Sequence, residues 1–129
     1  MKLLIPMIVV AAGGAIGSML RYALSLLAQR QAVIFPFGTL WANLLGCFVI
    51  GVVVTLATAT VSMSPLMRLF LATGICGGFT TMSSFVYELT TFVRDHAYLY
   101  AGGYLVLTLV GCVVLFYLGT FLVRVVWKG

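Results

Sequence analysis

The chain reads Gly74-Ile75-Cys76-Gly77-Gly78-Phe79-Thr80-Thr81-Met82-Ser83-Ser84-Phe85 in the middle of a segment that is otherwise apolar enough to cross a bilayer. The stretch combines three glycines with four hydroxyl side chains. In hydrocarbon every backbone amide must be bonded internally, so such residues are tolerated where protein shields the chain or where the chain lines a polar cavity. We therefore expect this segment to carry the function.

The composition places the chain among integral membrane proteins. Hydrophobic residues make up 64% of the sequence, with seven basic and two acidic residues in 129. The mean hydropathy is +1.24. These values exclude a soluble domain.

The charged residues separate long uncharged runs, and these runs predict the membrane spans. The charges are Lys2, Arg21, Arg30, Arg68, Glu88, Arg94, Asp95, Arg124 and Lys128. At about 20 apolar residues per crossing, we predict spans at 3–28, 38–60, 66–92 and 98–125. The prediction is an all-α membrane protein with a single domain over 1–129 and short connections. A cleaved signal peptide is disfavoured, because the first apolar run continues without a long polar segment behind it.

The charge distribution bears on orientation. An even number of spans puts both termini on one side of the membrane. That side then carries Lys2, Arg68, Arg124 and Lys128, and the other carries Arg21, Arg30 and Arg94. A difference of one charge is close to no bias. We predict insertion in both orientations and an antiparallel dimer; a fixed topology decided by one or two charges is the equally open alternative.

Small residues and cysteines have ordinary packing interpretations. Gly13 with Gly17, and Gly74 with Gly78, form small-xxx-small patterns that let helices approach closely, within a chain or between chains. The three cysteines fall within the predicted spans, are odd in number and have no CxxC spacing. This pattern argues against a disulfide or a zinc site and favours buried packing. They are Cys47, Cys76 and Cys112.

Several polar residues in the spans exceed what packing requires. Thr39 and Asn43 lie four residues apart on one helical face. The Asn43 amide is costly in hydrocarbon unless it is hydrogen-bonded. It therefore either makes an interhelical hydrogen bond or serves as a donor for a permeating anion. In the last span Tyr104, Thr108 and Cys112 recur every four residues and suggest a polar track. Threonine bonding to its own helix backbone is the alternative.

Two charged residues lie close to the apolar runs. Arg21 and Glu88 either snorkel to the interface or flank a hydrated vestibule, with Arg21 attracting anions. No acidic residue occurs in the first, second or fourth span. A small multidrug exporter needs a membrane-embedded glutamate, and the first span has none. This class of transporter is therefore disfavoured and ranks as the second alternative. A membrane-embedded enzyme would need a nucleophile, a base or a metal cluster. The single histidine, His96, lies beside Asp95 in a predicted loop and indicates a solvated turn, so an enzyme is disfavoured.

Three stretches together resemble the Fluc fluoride channels, also called CrcB proteins. They read GGAIGSMLRY at 13–22, FGTLWANLLG at 37–46 and GGFTTMSSF at 77–85. The resemblance covers nearly the whole chain, with the three motifs in order on three spans. It implies an antiparallel homodimer in the bilayer, a third helix that breaks near its centre and two fluoride pathways.

The resemblance also implies roles for single residues. The backbone carbonyls of Gly77 and Thr80 from both subunits would hold one structural sodium ion, since a hard cation prefers oxygen ligands. Fluoride would meet donors and a ring edge in place of its water. The residues expected along its pathway are Asn43, Thr39, Ser83, Ser84, Phe85, Met82, Tyr104 and Thr108, with Arg21 and Glu88 at the vestibule.

Met82 departs from the family pattern, which has phenylalanine at this position. A thioether has similar bulk but no electropositive ring edge. A natural variant and an engineered change both account for it. We expect an unchanged fold and sodium site with reduced fluoride flux.

The function implied is passive export of fluoride through a bacterial inner-membrane channel, without a chemical step. We expect no nucleic-acid partner.

Overall fold

The computed structural model describes residues 3–29, 35–59 and 63–127. Lys2, Arg30 and Lys128, which entered the charge comparison, and residue 60, the predicted end of the second span, lie outside the described residues.

Four helical spans are long and apolar enough to cross a membrane. They are α1 (Leu4–Gln29), α2 (Phe37–Ala59), a segmented third span over Pro65–Arg94, and α6 (Tyr98–Trp127). The described part of the chain contains no strand. The all-α, four-span prediction is confirmed, and the predicted boundaries that fall on described residues lie within two residues of the observed ones.

The third span consists of four pieces. Its first turn, α3 (Pro65–Arg68), begins at Ser64, whose hydroxyl accepts a hydrogen bond from the Met67 amide at 3.2 Å. A wider π-helical stretch follows over Leu69–Cys76 and leads into α4 (Gly77–Phe79). Thr80 and Thr81 are extended, and α5 (Met82–Arg94) then resumes the helix. The helix is therefore interrupted at the middle of the span.

Helix α1 packs closely against the third span through glycines. A Cβ on Gly17 would collide with the Ile75 carbonyl oxygen and lie 2.8 Å from the Phe79 amide nitrogen. Gly13 faces the Cα of Gly74 in the same manner. The two small-xxx-small patterns thus bring two helices of one chain together just before the interruption.

Helix α2 is the most enclosed of the four spans. In its most apolar stretch 44% of the residues are buried, against 11 to 17% in the other spans. Leu40 and Leu44 of α2 form a buried cluster with Phe85 of α5 and Tyr104 of α6. This cluster fixes α5 and α6 beside the polar residues of α2.

Candidate functional site

Asn43 closes the interruption of the third span. Its Oδ1 accepts a hydrogen bond from the Thr81 amide at 2.7 Å, and its Nδ2 donates to the Thr81 carbonyl at 3.1 Å. Asn43 is 8% exposed. The side chain therefore replaces the helical partners that Thr81 lacks in its extended conformation, which is what backbone groups at this depth require.

Other side chains bond to the backbone on both sides of the interruption. Arg21 Nε donates to the Gly78 carbonyl at 3.1 Å, and Ser18 Oγ approaches the same oxygen at 3.5 Å. The Thr80 hydroxyl donates to the Cys76 carbonyl at 3.0 Å. Polar groups of α1, α2 and the third span itself thus stabilise the extended pair.

Thr81 also caps α5. Its hydroxyl oxygen accepts from the Ser84 amide at 3.2 Å, and the hydroxyl donates to Ser84 Oγ at 3.1 Å. Ser83 Oγ lies 3.2 Å from the same Thr81 oxygen. Both serines predicted for the anion pathway are therefore hydrogen-bonded to Thr81, the N-cap of α5.

Two backbone carbonyls at the interruption lose their helical donors. In a continuous helix the Gly77 carbonyl would pair with the Thr81 amide, and the Thr80 carbonyl with the Ser84 amide. Those amides bond instead to Asn43 and to the Thr81 hydroxyl. Within residues 3–29, 35–59 and 63–127, no side chain donates to either carbonyl. Both oxygens are suited in chemical type to a hard cation.

Glu88 lies between two hydroxyl donors. The Thr39 hydroxyl donates to Oε1 at 2.6 Å, and the Tyr104 hydroxyl donates to Oε2 at 2.6 Å. Thr39 is 7% exposed and Tyr104 is fully buried. These short bonds to a carboxylate hold α2, α5 and α6 together. Glu88 is thus bonded within the helix bundle, and its prediction as a vestibule residue stays a prediction.

A cavity of about 320 Å³ lies beside the interruption. Its polar wall includes Asn43, Thr80, Thr81 and Thr108. The Thr108 hydroxyl is buried and has no hydrogen-bond partner among residues 3–29, 35–59 and 63–127. Because an unpaired buried hydroxyl is costly, this group is available to a ligand or to water in the cavity. The wall also carries Gly77, Met82 and Phe85.

The structure divides the predicted site residues into neighbouring groups. Asn43, Met82, Phe85, Thr108, Gly77 and Thr80 line the cavity. Thr39, Glu88 and Tyr104 form the hydrogen-bonded group beside it, and the Phe85 and Tyr104 rings connect the two groups with centroids 5.0 Å apart. Ser83 and Ser84 are at the start of α5, and Arg21 donates a hydrogen bond to the Gly78 carbonyl just before the interruption. The predicted roles of these residues remain predictions.

Thr81, which takes part in most of these contacts, had no role predicted from the sequence. Its position between a glycine pair and two serines was a usable signal, because a threonine before a helix is a favoured N-cap. The bond from Ser18 was also missed, since a single serine in an apolar helix usually bonds to its own backbone.

Comparison with known proteins gives a consistent result over most of the chain. The family model described as "CrcB-like protein, Camphor Resistance (CrcB)" matches residues 8–120. The chain belongs to the CrcB family. A relative from Prosthecochloris aestuarii, named "Fluoride-specific ion channel FluC", is 43% identical over 118 residues, which cover 92% of each chain.

Further relatives of the same name show similar agreement with this CrcB-family chain. The protein from Chlorobium chlorochromatii is 46% identical over 112 residues, covering 87% of each chain. The protein from Roseiflexus sp. is 48% identical over 98 residues, covering 75% of this chain and 79% of the relative. The family membership confirms the resemblance noted in the sequence. With its four spans, the chain is a multi-pass bacterial membrane protein.

Proposed function

We propose that this chain forms a fluoride channel that lets the anion pass the membrane down its electrochemical gradient. The similarity over most of its length to proteins named fluoride-specific ion channels carries the proposal. The cavity beside the interrupted span supports the proposal, because it offers a space lined by polar side chains. No chemical step is involved, because the anion only exchanges its water for protein donors.

The Thr108 hydroxyl and the Asn43 amide are the proposed donors at the centre. Fluoride is small and strongly hydrated, so a pathway must replace its water shell with donors and must still release the ion. The Thr108 hydroxyl has no hydrogen-bond partner in the part of the chain that the structure describes. The Asn43 amide has a second N–H besides the one bonded to Thr81. Both groups line the same cavity.

Phe85 and Met82 form the apolar side of the proposed pathway. Aromatic rings are electropositive at the edge, and this edge can face an anion without carrying a full charge that would trap it. Phe85 is held by the buried cluster with Tyr104. Met82 is 64% exposed at the first position of α5 and offers a thioether in place of a ring.

The outer parts of the pathway are proposed along the hydroxyls and charges that flank the cavity. Ser83 and Ser84 supply hydroxyls near the start of α5. Thr39, Tyr104 and Glu88 continue along α2, α6 and α5. Arg21 supplies positive charge near the end of the first half of the third span. We assign Arg21 and Glu88 to the vestibules.

A second copy of the chain is proposed to complete the channel. Thr73, Gly77 and Ser83 are exposed in the third span, although hydroxyls and free carbonyls facing lipid at this depth are costly. Burial of this face against another chain removes that cost. The nearly equal numbers of basic residues at the two ends favour an antiparallel homodimer with two pathways.

A sodium ion fits the carbonyls of Gly77 and Thr80. Both oxygens have lost their helical donors to Asn43 and to the Thr81 hydroxyl. Two carbonyls from one chain are fewer than a hard cation takes, so the same pair from a second copy would complete the ligand set. The ion would supply a fixed positive charge that ties the two interrupted spans together. We propose this role as structural.

The test is fluoride release from proteoliposomes, followed with a fluoride-selective electrode. Vesicles containing the purified protein should release fluoride once a potassium ionophore allows charge balance, and vesicles without protein should retain it. Loading with chloride in place of fluoride is the selectivity control. Release of both anions at equal rates would overturn the fluoride-specific proposal.

The same preparation separates a channel from the exporter alternative. A channel carries net charge, so fluoride release should need the potassium ionophore and should proceed without a proton gradient. Transport that requires a proton gradient and ignores the ionophore would favour the exporter. The channel is preferred because the one acid within the spans, Glu88, is bonded to Thr39 and Tyr104.

A further inference from the structure

All three cysteines of the chain line the cavity beside the interruption. Cys47 comes from α2, Cys76 from the third span and Cys112 from α6. None is in a disulfide. The exposed thioether of Met82 belongs to the same wall. Four sulfur-containing side chains therefore line one cavity, together with the polar wall described above.

Two of these thiols come from helices that pack against each other along their length. Cys47 of α2 and Cys112 of α6 line the same cavity. Cys47 and Cys112 are half-buried, whereas Cys76 is buried. Over the described ranges, no three metal-ligating side chains converge on one point. At most two of these cysteines can therefore bind one ion, and the half-buried Cys47 and Cys112 are the more accessible pair.

We propose that Cys47 and Cys112 form a binding site for a soft monovalent metal ion, Cu(I) or Ag(I), within this cavity. Thiolate and thioether ligands select soft ions over hard ones. A pair of thiolates meets the low coordination number that such ions accept, and the Met82 thioether is available as a weak additional ligand. The site differs from the carbonyl pair of Gly77 and Thr80, whose oxygens suit a hard cation.

Metal binding at this pair would block anion passage. Each thiol that binds as a thiolate releases one proton. One monovalent ion held by two thiolates leaves one net negative charge beside Asn43 and Thr108, and this charge opposes an approaching anion. The metal also occupies part of a cavity of about 320 Å³. The blocking effect depends on the proposed channel function, whereas the binding itself does not.

Binding is tested on the purified protein in chloride-free buffer with silver nitrate as the probe. Titration calorimetry and the ultraviolet absorption of silver thiolate should show one tight Ag(I) per chain. Cys47→Ala and Cys112→Ala, made separately, should each weaken this binding at least about tenfold, equivalent to about 1.4 kcal/mol. Cys76→Ala is the matched control and should retain the tight site. Loss of tight binding in Cys76→Ala, or its persistence in both of the other variants, would overturn the proposal.

Block is tested separately by fluoride release from proteoliposomes in nitrate medium, where silver and fluoride stay in solution together. Each variant is compared with itself before and after addition of silver nitrate. The unsubstituted chain and Cys76→Ala should lose most of their flux, and Cys47→Ala and Cys112→Ala should keep theirs. Tight binding without any loss of flux would overturn the blocking effect alone. Absent flux without silver would count against the channel and leave the binding result valid.

Discussion

Asn43 satisfies both backbone groups of one extended residue with a single side chain. Its amide is matched in shape to the Thr81 N–H and C=O, which it bonds at 2.7 and 3.1 Å. A side chain that offers only donors or only acceptors leaves one of these groups without a partner in a region where water is scarce. Asparagine at this position is therefore a requirement of the interruption as well as a source of an N–H for the cavity.

We predict that Asn43→Asp lowers both stability and fluoride flux. A carboxylate retains the acceptor for the Thr81 amide but faces the Thr81 carbonyl with negative charge, which costs about 1–3 kcal/mol of unfolding free energy. The same charge should repel the anion, and an added barrier of about 1.4 kcal/mol lowers the flux about tenfold. Thermal unfolding in detergent and fluoride release check the two effects. Undiminished flux would remove Asn43 from the mechanism.

Met82 is placed where its side chain can be exchanged without disturbing the chain's own core. It is 64% exposed, whereas Phe85 one turn later is 3% exposed and packs on Tyr104. We predict that Met82→Phe leaves the fold unchanged and raises fluoride flux. Edge-to-face aromatic pairs gain about 0.5–1.5 kcal/mol, and a ring-edge contact with the anion of the same order corresponds to about two- to tenfold in rate. Equal release from proteoliposomes of the two proteins would show that the ring is dispensable.

The residue types of the site were readable from the sequence, but their partners were not. The spacing of Thr39 and Asn43 on one helical face correctly indicated a shared polar face, since both are buried. Thr39 bonds to Glu88 and Asn43 bonds to the Thr81 backbone. These partners depend on the position of α5 relative to α2. No local pattern encodes that placement. The convergence of three cysteines on one cavity was missed for the same reason.

At the level of helices, the interruption depends on the close contact between α1 and the third span. Gly17 lies against the backbone at Ile75 and Phe79, one turn before the extended pair. Arg21, one turn further along α1, donates to the Gly78 carbonyl. Any side chain larger than hydrogen at position 17 pushes α1 away and moves the Arg21 donor from its acceptor.

We predict that Gly17→Ala destabilises the protein by about 1–3 kcal/mol, the usual cost of overpacking. Gly102→Ala is the matched control, because a Cβ there meets no heavy atom within 4 Å and the substitution is in a helix as well. The control should be neutral or slightly stabilising, since alanine is the better helix former by about 1 kcal/mol. Heating in detergent followed by size-exclusion chromatography compares the two. Equal losses in both variants would contradict the proposed role of the contact.

The number and type of helices followed directly from the apolar runs, whereas the internal structure of the third span did not. Glycines and hydroxyls indicated a weak helix, and the family resemblance supplied a break near the centre. The π-helical stretch over Leu69–Cys76 was not predicted. Its residues, LFLATGIC, have ordinary helical composition. The wider turn arises from tertiary packing, which single-sequence patterns do not report.

For the whole molecule, the small difference in basic charge between the two ends of the spans is the basis for predicting insertion in both orientations. We predict that reporter fusions at the C-terminus are active on both sides of the membrane. Arg94 and Arg124 lie on opposite sides in the four-span arrangement, so Arg94→Ala and Arg124→Ala should shift the ratio of the two signals in opposite directions. A signal from one side only, unchanged in both variants, would contradict dual insertion.

The interruption at Thr80 and Thr81 has an electrostatic consequence for the molecule as a whole. It divides one helix macrodipole into two, so that α4 and the turns before it end near mid-membrane with partial negative charge, while α5 begins there with roughly half a positive charge. One end favours a cation and the other an anion. Both partial charges belong to the peptide backbone and do not titrate. The field felt by an ion at the centre is therefore set by where the helix is broken, and it persists at any pH at which the fold is intact.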